Sequence, residues 1–212
     1  MKIKGVIFDL DGTLYDNTKL AGKVVVSNIF NLRLLAAERL AHLKMSGRFY
    51  GDRTFDEILK RISMKTGIGL YQVKRWYLKV FMPSQVSALR NNFKAKNWAV
   101  PILGELRSKG VKTACFSEYI CVNDKLEAIG IDPALFDVVI DAPSAGGLKP
   151  CRRAFEAVAE KMGLAPSEIL VVGDREDTDG AGAEASGMSF LLVPKKDSGD
   201  PGILKFIAAS EE

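Results

Sequence analysis

Hydrophobic residues follow two different rhythms along this chain. A short apolar run at residues 3–9, IKGVIFD, ends on an aspartate. From about residue 18 to 98 the apolar positions recur at three- and four-residue steps, the period of helices that bury one face. Strand signals are absent there. Residues 24–43 predict a helix with Ile29, Leu32, Leu35, Ala36 and Leu40 on one stripe. A second helix is predicted from Thr54, with Asp56 and Glu57 in the first turn where the helix dipole favours negative charge, to a stop before Gly67. A third covers 71–81 and ends at Met82-Pro83, because a residue before proline avoids helical geometry. A fourth covers 84 to about 93.

Beyond residue 101 the rhythm changes to strand and helix in alternation. Strands are predicted at 111–116, 138–140, 169–172 and 190–193, and helices at 123–129, 152–162 and 180–186, each helix followed by a glycine stop. Continuous apolar strands separated by helices predict a parallel sheet covered on both faces. The first strand, 3–8, finds partners only by joining that later sheet. The expected layout is α/β: a doubly wound parallel-sheet core at 1–17 and 97–212, with an all-helical domain inserted at 18–96.

Composition narrows the chemistry. The 212 residues are 47% hydrophobic and 26% charged, ordinary usage for a folded chain. No window reaches the roughly 18 apolar residues of a membrane helix, so no membrane association is expected. A net charge of +4 suits a small anionic ligand and is too weak to suggest nucleic acid. Three cysteines without zinc spacing read as reduced thiols of a cytoplasmic protein. With one histidine, His42, sites built on several histidines are excluded, and acid, base and metal chemistry falls to carboxylates.

In a doubly wound sheet, ligands bind beyond the carboxyl ends of the strands. The first strand ends Asp9-Leu10-Asp11-Gly12-Thr13, and residues two apart on an extended chain face one side. Two such carboxylates repel unless a cation or a shared proton relieves them. The second strand ends at Ser117; Lys149 precedes Pro150 ahead of a helix; the strand 169–172 runs into Gly173-Asp174, with Asp179 at the next helix start. Carboxylates, one ammonium and one hydroxyl thus stand at the ends of separate strands.

These segments, DLDGTLYD at 9–16, Ser117, Lys149 before Pro150, and GDREDTDGAGAEASGM at 173–188, resemble the four ordered motifs of the haloacid dehalogenase-like hydrolase superfamily. The helical insertion between the first two motifs resembles the cap of its phosphoglycolate phosphatase-like branch. The resemblance implies a Mg²⁺-dependent phosphatase of small phosphorylated metabolites working through an aspartyl phosphate. Asp9 would be the nucleophile. Asp11 would be the general acid and then the base, swinging on the Gly12 turn. Asp9, the backbone carbonyl of Asp11, and Asp174 would hold Mg²⁺. Ser117 and Lys149, with Thr13 and Gly12 beside them, would bind the phosphoryl group, and Asp179 would hold Lys149 or a metal-bound water. An acid at position 11 favours phosphate esters over haloacids, whose halide leaves without a proton.

Other readings stay open at this stage. A phosphotransferase such as a sugar phosphomutase would use the same groups, and so would a non-catalytic phosphate-binding regulator. His42 reads as a packing or surface residue, and Trp76, Tyr77 and Phe81 as helix core. Arg48 and Arg53 are the cap cations expected to point at an anionic substrate. Asp16, Glu118, Arg175, Glu176 and Asp177 read as rim residues, and Lys195-Lys196 as a surface turn. The linkers 12–18 and 95–101 are the expected hinges. Oligomeric state is not encoded in any pattern read here.

Overall fold

The computed structural model describes residues 2–210. Five strands form one parallel sheet: β1 Gly5–Phe8, β2 Lys112–Ser117, β3 Val138–Asp141, β4 Ile169–Gly173 and β5 Ser189–Leu192, in the order β3-β2-β1-β4-β5. All four residues of β1 are buried, as expected for a central strand covered on both faces. Alternate residues feed two hydrophobic layers. Ile7, Ala114, Phe116 and Val171 pack on one face, and Val6, Phe8, Cys115 and Val172 on the other. The register sets the site, because Phe8 lies level with both Cys115 and Val172. Asp9, Ser117 and Asp174 therefore emerge within one or two residues of a common line.

Between β1 and β2 the described residues form helices α1 Leu20–Ser27, α2 Leu32–Met45, α3 Thr54–Thr66, α4 Leu70–Trp76 and α5 Met82–Asn92, with no strand among them. The core helices are α6 Ala99–Ser108, α7 Val122–Ala128, α8 Arg152–Met162, α9 Ala181–Ser186 and α10 Ile203–Ala209. α6 and α10 were not signalled by the hydrophobic period.

Two expectations for the helical stretch are corrected. The predicted helix at 24–43 is broken at Asn28, whose side-chain amide donates to the Val24 carbonyl and to Ser84 Oγ. A short 3₁₀ turn follows, and the axis bends by 83°. The break rotates the phase, so Ile29 and Leu32 are exposed while Leu34, Ala37, Ala41 and Met45 are buried. Nor does the chain stop at Met82-Pro83. A wide π turn at Tyr77–Phe81 carries α4 into α5, and Pro83 occupies the first turn of α5, where a missing N–H is tolerated. Trp76, Tyr77 and Phe81 form a buried aromatic cluster, as their helical spacing predicts.

The helical stretch meets the core along a hydrogen-bonded seam. Gly47 N donates to the Leu148 carbonyl (3.1 Å), Tyr50 N to the Gly146 carbonyl (2.9 Å) and Ser46 Oγ to the Lys149 carbonyl (3.0 Å). A Cβ on Gly147 would lie 2.8 Å from the Arg48 carbonyl, so the close approach requires glycine there. The two chain crossings are also joined, Lys96 N donating to the Leu14 carbonyl at 2.8 Å. Charge divides unevenly: residues 18–96 hold sixteen Lys and Arg against four Asp and Glu, the remainder fourteen against twenty-two. The basic helices thus lie against an acidic core, and the two charges offset each other across the boundary.

α8 and α9 touch at Gly182, where a Cβ would meet the Phe155 ring at 2.0 Å. Gly182→Ala is expected to cost about 1–3 kcal/mol of unfolding free energy through overpacking. Urea titration checks this, and an unchanged midpoint would contradict the packing described.

Candidate active site

Asp9 follows β1 directly and is buried, its N–H bonded to the Val172 carbonyl at 2.9 Å. Lys149 Nζ donates to Asp9 Oδ1 and to Asp179 Oδ1, both at 2.8 Å. Lys149 is itself buried, over the face of Phe116 at 4.8 Å. Thr13 Oγ1 donates to Asp9 Oδ2 at 2.9 Å, so both oxygens of Asp9 are held. Burial pushes the Asp9 carboxyl up, and the neighbouring carboxylates add to this; Lys149 opposes them, leaving it at about 6. Lys149 is raised as well. Burial disfavours its charge, but Asp179 and Asp9 outweigh burial and keep the ammonium charged.

Asp9, Asp174 and Asp179 each present an oxygen within 4.8 Å of the other two. Asp174 Oδ2 is buried and accepts no hydrogen bond among the described residues, with Lys195 Nζ standing 3.4 Å away. Its carboxyl is raised by burial and by Asp9. Gly12 passes over Asp174 with φ +108°, and a Cβ there would lie 2.6 Å from Asp174 Oδ2. Three crowded carboxylates with an unsatisfied buried oxygen are a donor set suited to a hard divalent cation.

Asp11 is handled separately. Tyr15 OH donates to its Oδ1, while Ser117 Oγ (3.1 Å) and Lys125 Nζ donate to its Oδ2. Burial would raise this carboxyl, but Lys125, Tyr15 and Ser117 together hold it below the ordinary aspartate value. The Asp11 backbone carbonyl accepts Asn17 Nδ2 at 2.7 Å and keeps a second lone pair.

These groups open into a cavity of about 350 Å³ roofed by α2, with Arg39, His42, Leu43 and Ser46 facing Asp9, Lys149 and Asp174 across it. Several expectations change here. Arg48 and Arg53 are exposed and do not line the cavity; Arg39, one helical turn before His42, does. Lys195 is no mere surface turn, since it lines the cavity beside Asp174. Thr13 and Ser117 are fully buried behind the carboxylates they bond, and neither they nor Gly12 line the cavity. Asp179 joins the carboxylate cluster and holds Lys149, in a π turn at Glu176–Gly180 that precedes α9.

Two residues near the site carried no sequence signal, and a third, Glu118, read as a rim residue, lines the cavity. Lys125 is fully buried on α7 against Asp11. Lys96 is buried and bonds the carbonyls of Gly12 (3.0 Å) and Pro194 (2.6 Å), pinning the turn under Asp11. Glu118 accepts the Lys149 N–H at 3.1 Å and is pushed by burial up to about 7, against the pull of His42 and Lys149. His42 is buried, with its ring stacked on Tyr119 at 4.7 Å and Nδ1 2.8 Å from Glu38 Oε1.

Sequence comparison bears on what this arrangement belongs to. The family model described as haloacid dehalogenase-like hydrolase matches residues 3–187. The chain belongs to the haloacid dehalogenase-like hydrolases. Within this family it is 29% identical to the glyceraldehyde 3-phosphate phosphatase of Methanopyrus kandleri, over 90% of this chain and 84% of that one. In fold it is similar to a predicted phosphoglycolate phosphatase from Haemophilus somnus (TM-score 0.63, 22% identity, covering 97% of this chain and 98% of that one). It is equally similar to a β-phosphoglucomutase from Clostridium difficile (TM-score 0.64, 20% identity, 96% and 87%). The five-stranded parallel sheet with helices on both faces is the core of this family.

The His42–Glu38 pair predicts a pH effect. Burial disfavours the imidazolium, but Glu38 and then Glu118 outweigh burial and raise His42 to about 9. A raised folded value stabilises the fold fully below about 6.5, and that stability is lost as pH rises towards 9. Relative to the double variant Glu38→Gln/His42→Gln, the native protein should lose up to a few kcal/mol of unfolding free energy between those pH values. A constant difference across that window would contradict the charged pair.

Proposed function

We propose that this chain is a phosphatase that hydrolyses small phosphomonoesters, with residues 18–96 acting as a cap over the core. The observation that carries this reading is the shared position of Asp9, Lys149, Asp179 and Asp174 at one end of the cavity. A carboxylate nucleophile, a fixed ammonium and an unsatisfied buried carboxylate oxygen are what transfer of a phosphoryl group requires. The relatives named as phosphatases support the same reaction class.

In this reading Asp9 attacks phosphorus and becomes an aspartyl phosphate. Thr13 and Lys149 fix its carboxylate, which places the attacking oxygen and spares the reaction that ordering cost. Lys149, kept charged by Asp179, offsets the negative charge of the transferring group. Asp11 gives a proton to the leaving oxygen and takes one back from water. Mg²⁺ fits the oxygen donors of Asp9 and Asp174, which with the Asp11 carbonyl would hold it, and when bound would supply the positive charge these carboxylates lack. Arg39 and His42 on α2 face the substrate's far end, and the 350 Å³ cavity matches a small phosphorylated metabolite. Docking of the segment after α2 on the Gly146–Lys149 loop holds α2 over that cavity.

Turnover of p-nitrophenyl phosphate and of a panel of phosphorylated metabolites tests this reading. Asp9→Asn is expected to lower kcat on the order of 10³-fold or more with the fold retained. EDTA should abolish turnover and added Mg²⁺ restore it. Near-native rates in Asp9→Asn, or in EDTA, would contradict the mechanism.

A further inference from the structure

We propose that the tip of the helical stretch, where α1 turns into α2, is a docking surface for an anionic lipid bilayer: Val26, Ile29 and Phe30 enter the headgroup layer while Lys19, Lys23 and Arg33 meet its phosphates. The proposal goes beyond the catalytic reading and does not depend on it. Phe30 is 98% exposed, Val26 73% and Ile29 58%, with Val25 and Leu32 half-exposed beside them. Five large apolar side chains thus stand in water between positions 25 and 32. Single apolar residues scattered on a surface are ordinary, but a cluster of them marks a place where something binds. The packing does not need these side chains. Val24 and Asn28 hold this end of the stretch; both are buried, and the Asn28 amide bonds the Val24 carbonyl and Ser84 Oγ of α5. The 83° bend there leaves Ile29 and Phe30 outside the contacts between helices.

Charge decides the occupant. Lys19, Lys23 and Arg33 are the only charged residues from 17 to 37, so cations alone flank the apolar cluster. The excess of cations over carboxylates in residues 18–96, and the reverse in the remainder, draws the helices toward an anionic surface and keeps the core away from it. A second copy is disfavoured by the same charges, because a two-fold contact at the tip sets like cations against each other. A leaflet offers both partners at once: phosphates for the ammonium and guanidinium groups, and hydrocarbon for Phe30 and Val26. Among the described residues no single helix is long and apolar enough to cross a membrane, so the contact is with one leaflet. Leu32 lies about 15 Å along the axis of α2 from His42, so a docked tip leaves the cavity-facing end of that helix clear.

Cosedimentation of the full chain with vesicles tests this. At low ionic strength the native protein is expected to bind vesicles of phosphatidylcholine and phosphatidylglycerol in equal parts about 10-fold or more tighter than vesicles of phosphatidylcholine alone, and to lose most of that preference in molar salt. Val26→Ser/Phe30→Ser is expected to weaken binding to the mixed vesicles by about 10-fold or more, through lost apolar burial. Lys19→Gln/Lys23→Gln should weaken it by about 10-fold at low salt and little in molar salt. This second variant carries the test if the apolar one does not fold. Both variants should keep the native melting temperature and the native rate on p-nitrophenyl phosphate, which separates docking from a structural or catalytic role. A native protein indifferent to the mixed vesicles, or a Val26→Ser/Phe30→Ser variant that binds them as the native does, would overturn the proposal. So would a native dimer in light scattering that Val26→Ser/Phe30→Ser converts to a monomer, since the tip would then face a second copy.

Discussion

Two buried carboxylates, Asp9 and Asp179, share the Lys149 ammonium beside a third, Asp174, and the rest of the site is arranged around that crowding of negative charge. Lys149 reaches Asp9 and Asp179 together, and among the described residues Asp174 Oδ2 has only Lys195 Nζ, 3.4 Å away. Like charges this close are tolerable only with compensation. Part of it is local: Thr13 bonds Asp9, and Lys195 stands near Asp174. Part comes from the basic helices laid against the acidic core. The remaining deficit lies beside an open cavity, where a divalent cation would offset it.

The same geometry separates two aspartates that are only two residues apart. Asp9 lies with Lys149 and the other carboxylates and is raised by burial to about 6, whereas Asp11 turns to Tyr15, Ser117 and Lys125 and is held low. Different environments push like groups apart: burial among carboxylates raises the one, and Lys125, Tyr15 and Ser117 lower the other. Gly12 permits the division. Its positive φ turns the chain between them, and its missing side chain leaves room for Asp174. Lys96 then anchors the carbonyl of Gly12 from the far side of the helical stretch, so the turn and the cap's attachment are built from the same residues.

Much of this was legible in the sequence, and what was not has identifiable causes. The strands announced themselves because a central parallel strand is apolar on both faces, and their ends then named Asp9, Asp11, Asp174 and Ser117. Lys149 and Asp179 followed from order along the chain. Lys125 and Lys96 gave no signal, because a lysine in a helix or loop reads as solvated until packing shows what lies opposite it. The stripe through Ile29 and Leu32 failed because Asn28 breaks the helix with a side-chain bond to Ser84, 56 residues away, which no local period reveals. Arg48 and Arg53 were picked because they fall in an inter-helix loop, whereas Arg39 faces the cavity through the phase of α2, which depends on that break. The Gly146-Gly147 pair carried no reading of its own, yet it is where the helical stretch docks.

The account stands most directly on whether the carboxylate cluster binds a divalent cation that the fold can feel. Thermal unfolding with and without millimolar Mg²⁺ measures this without any substrate, since a ligand that binds only the folded chain raises its melting temperature. The native protein should melt higher with Mg²⁺, and Asp174→Ala should show no Mg²⁺ dependence. A native protein indifferent to Mg²⁺, or an Asp174→Ala variant that gains as much from it, would contradict the account.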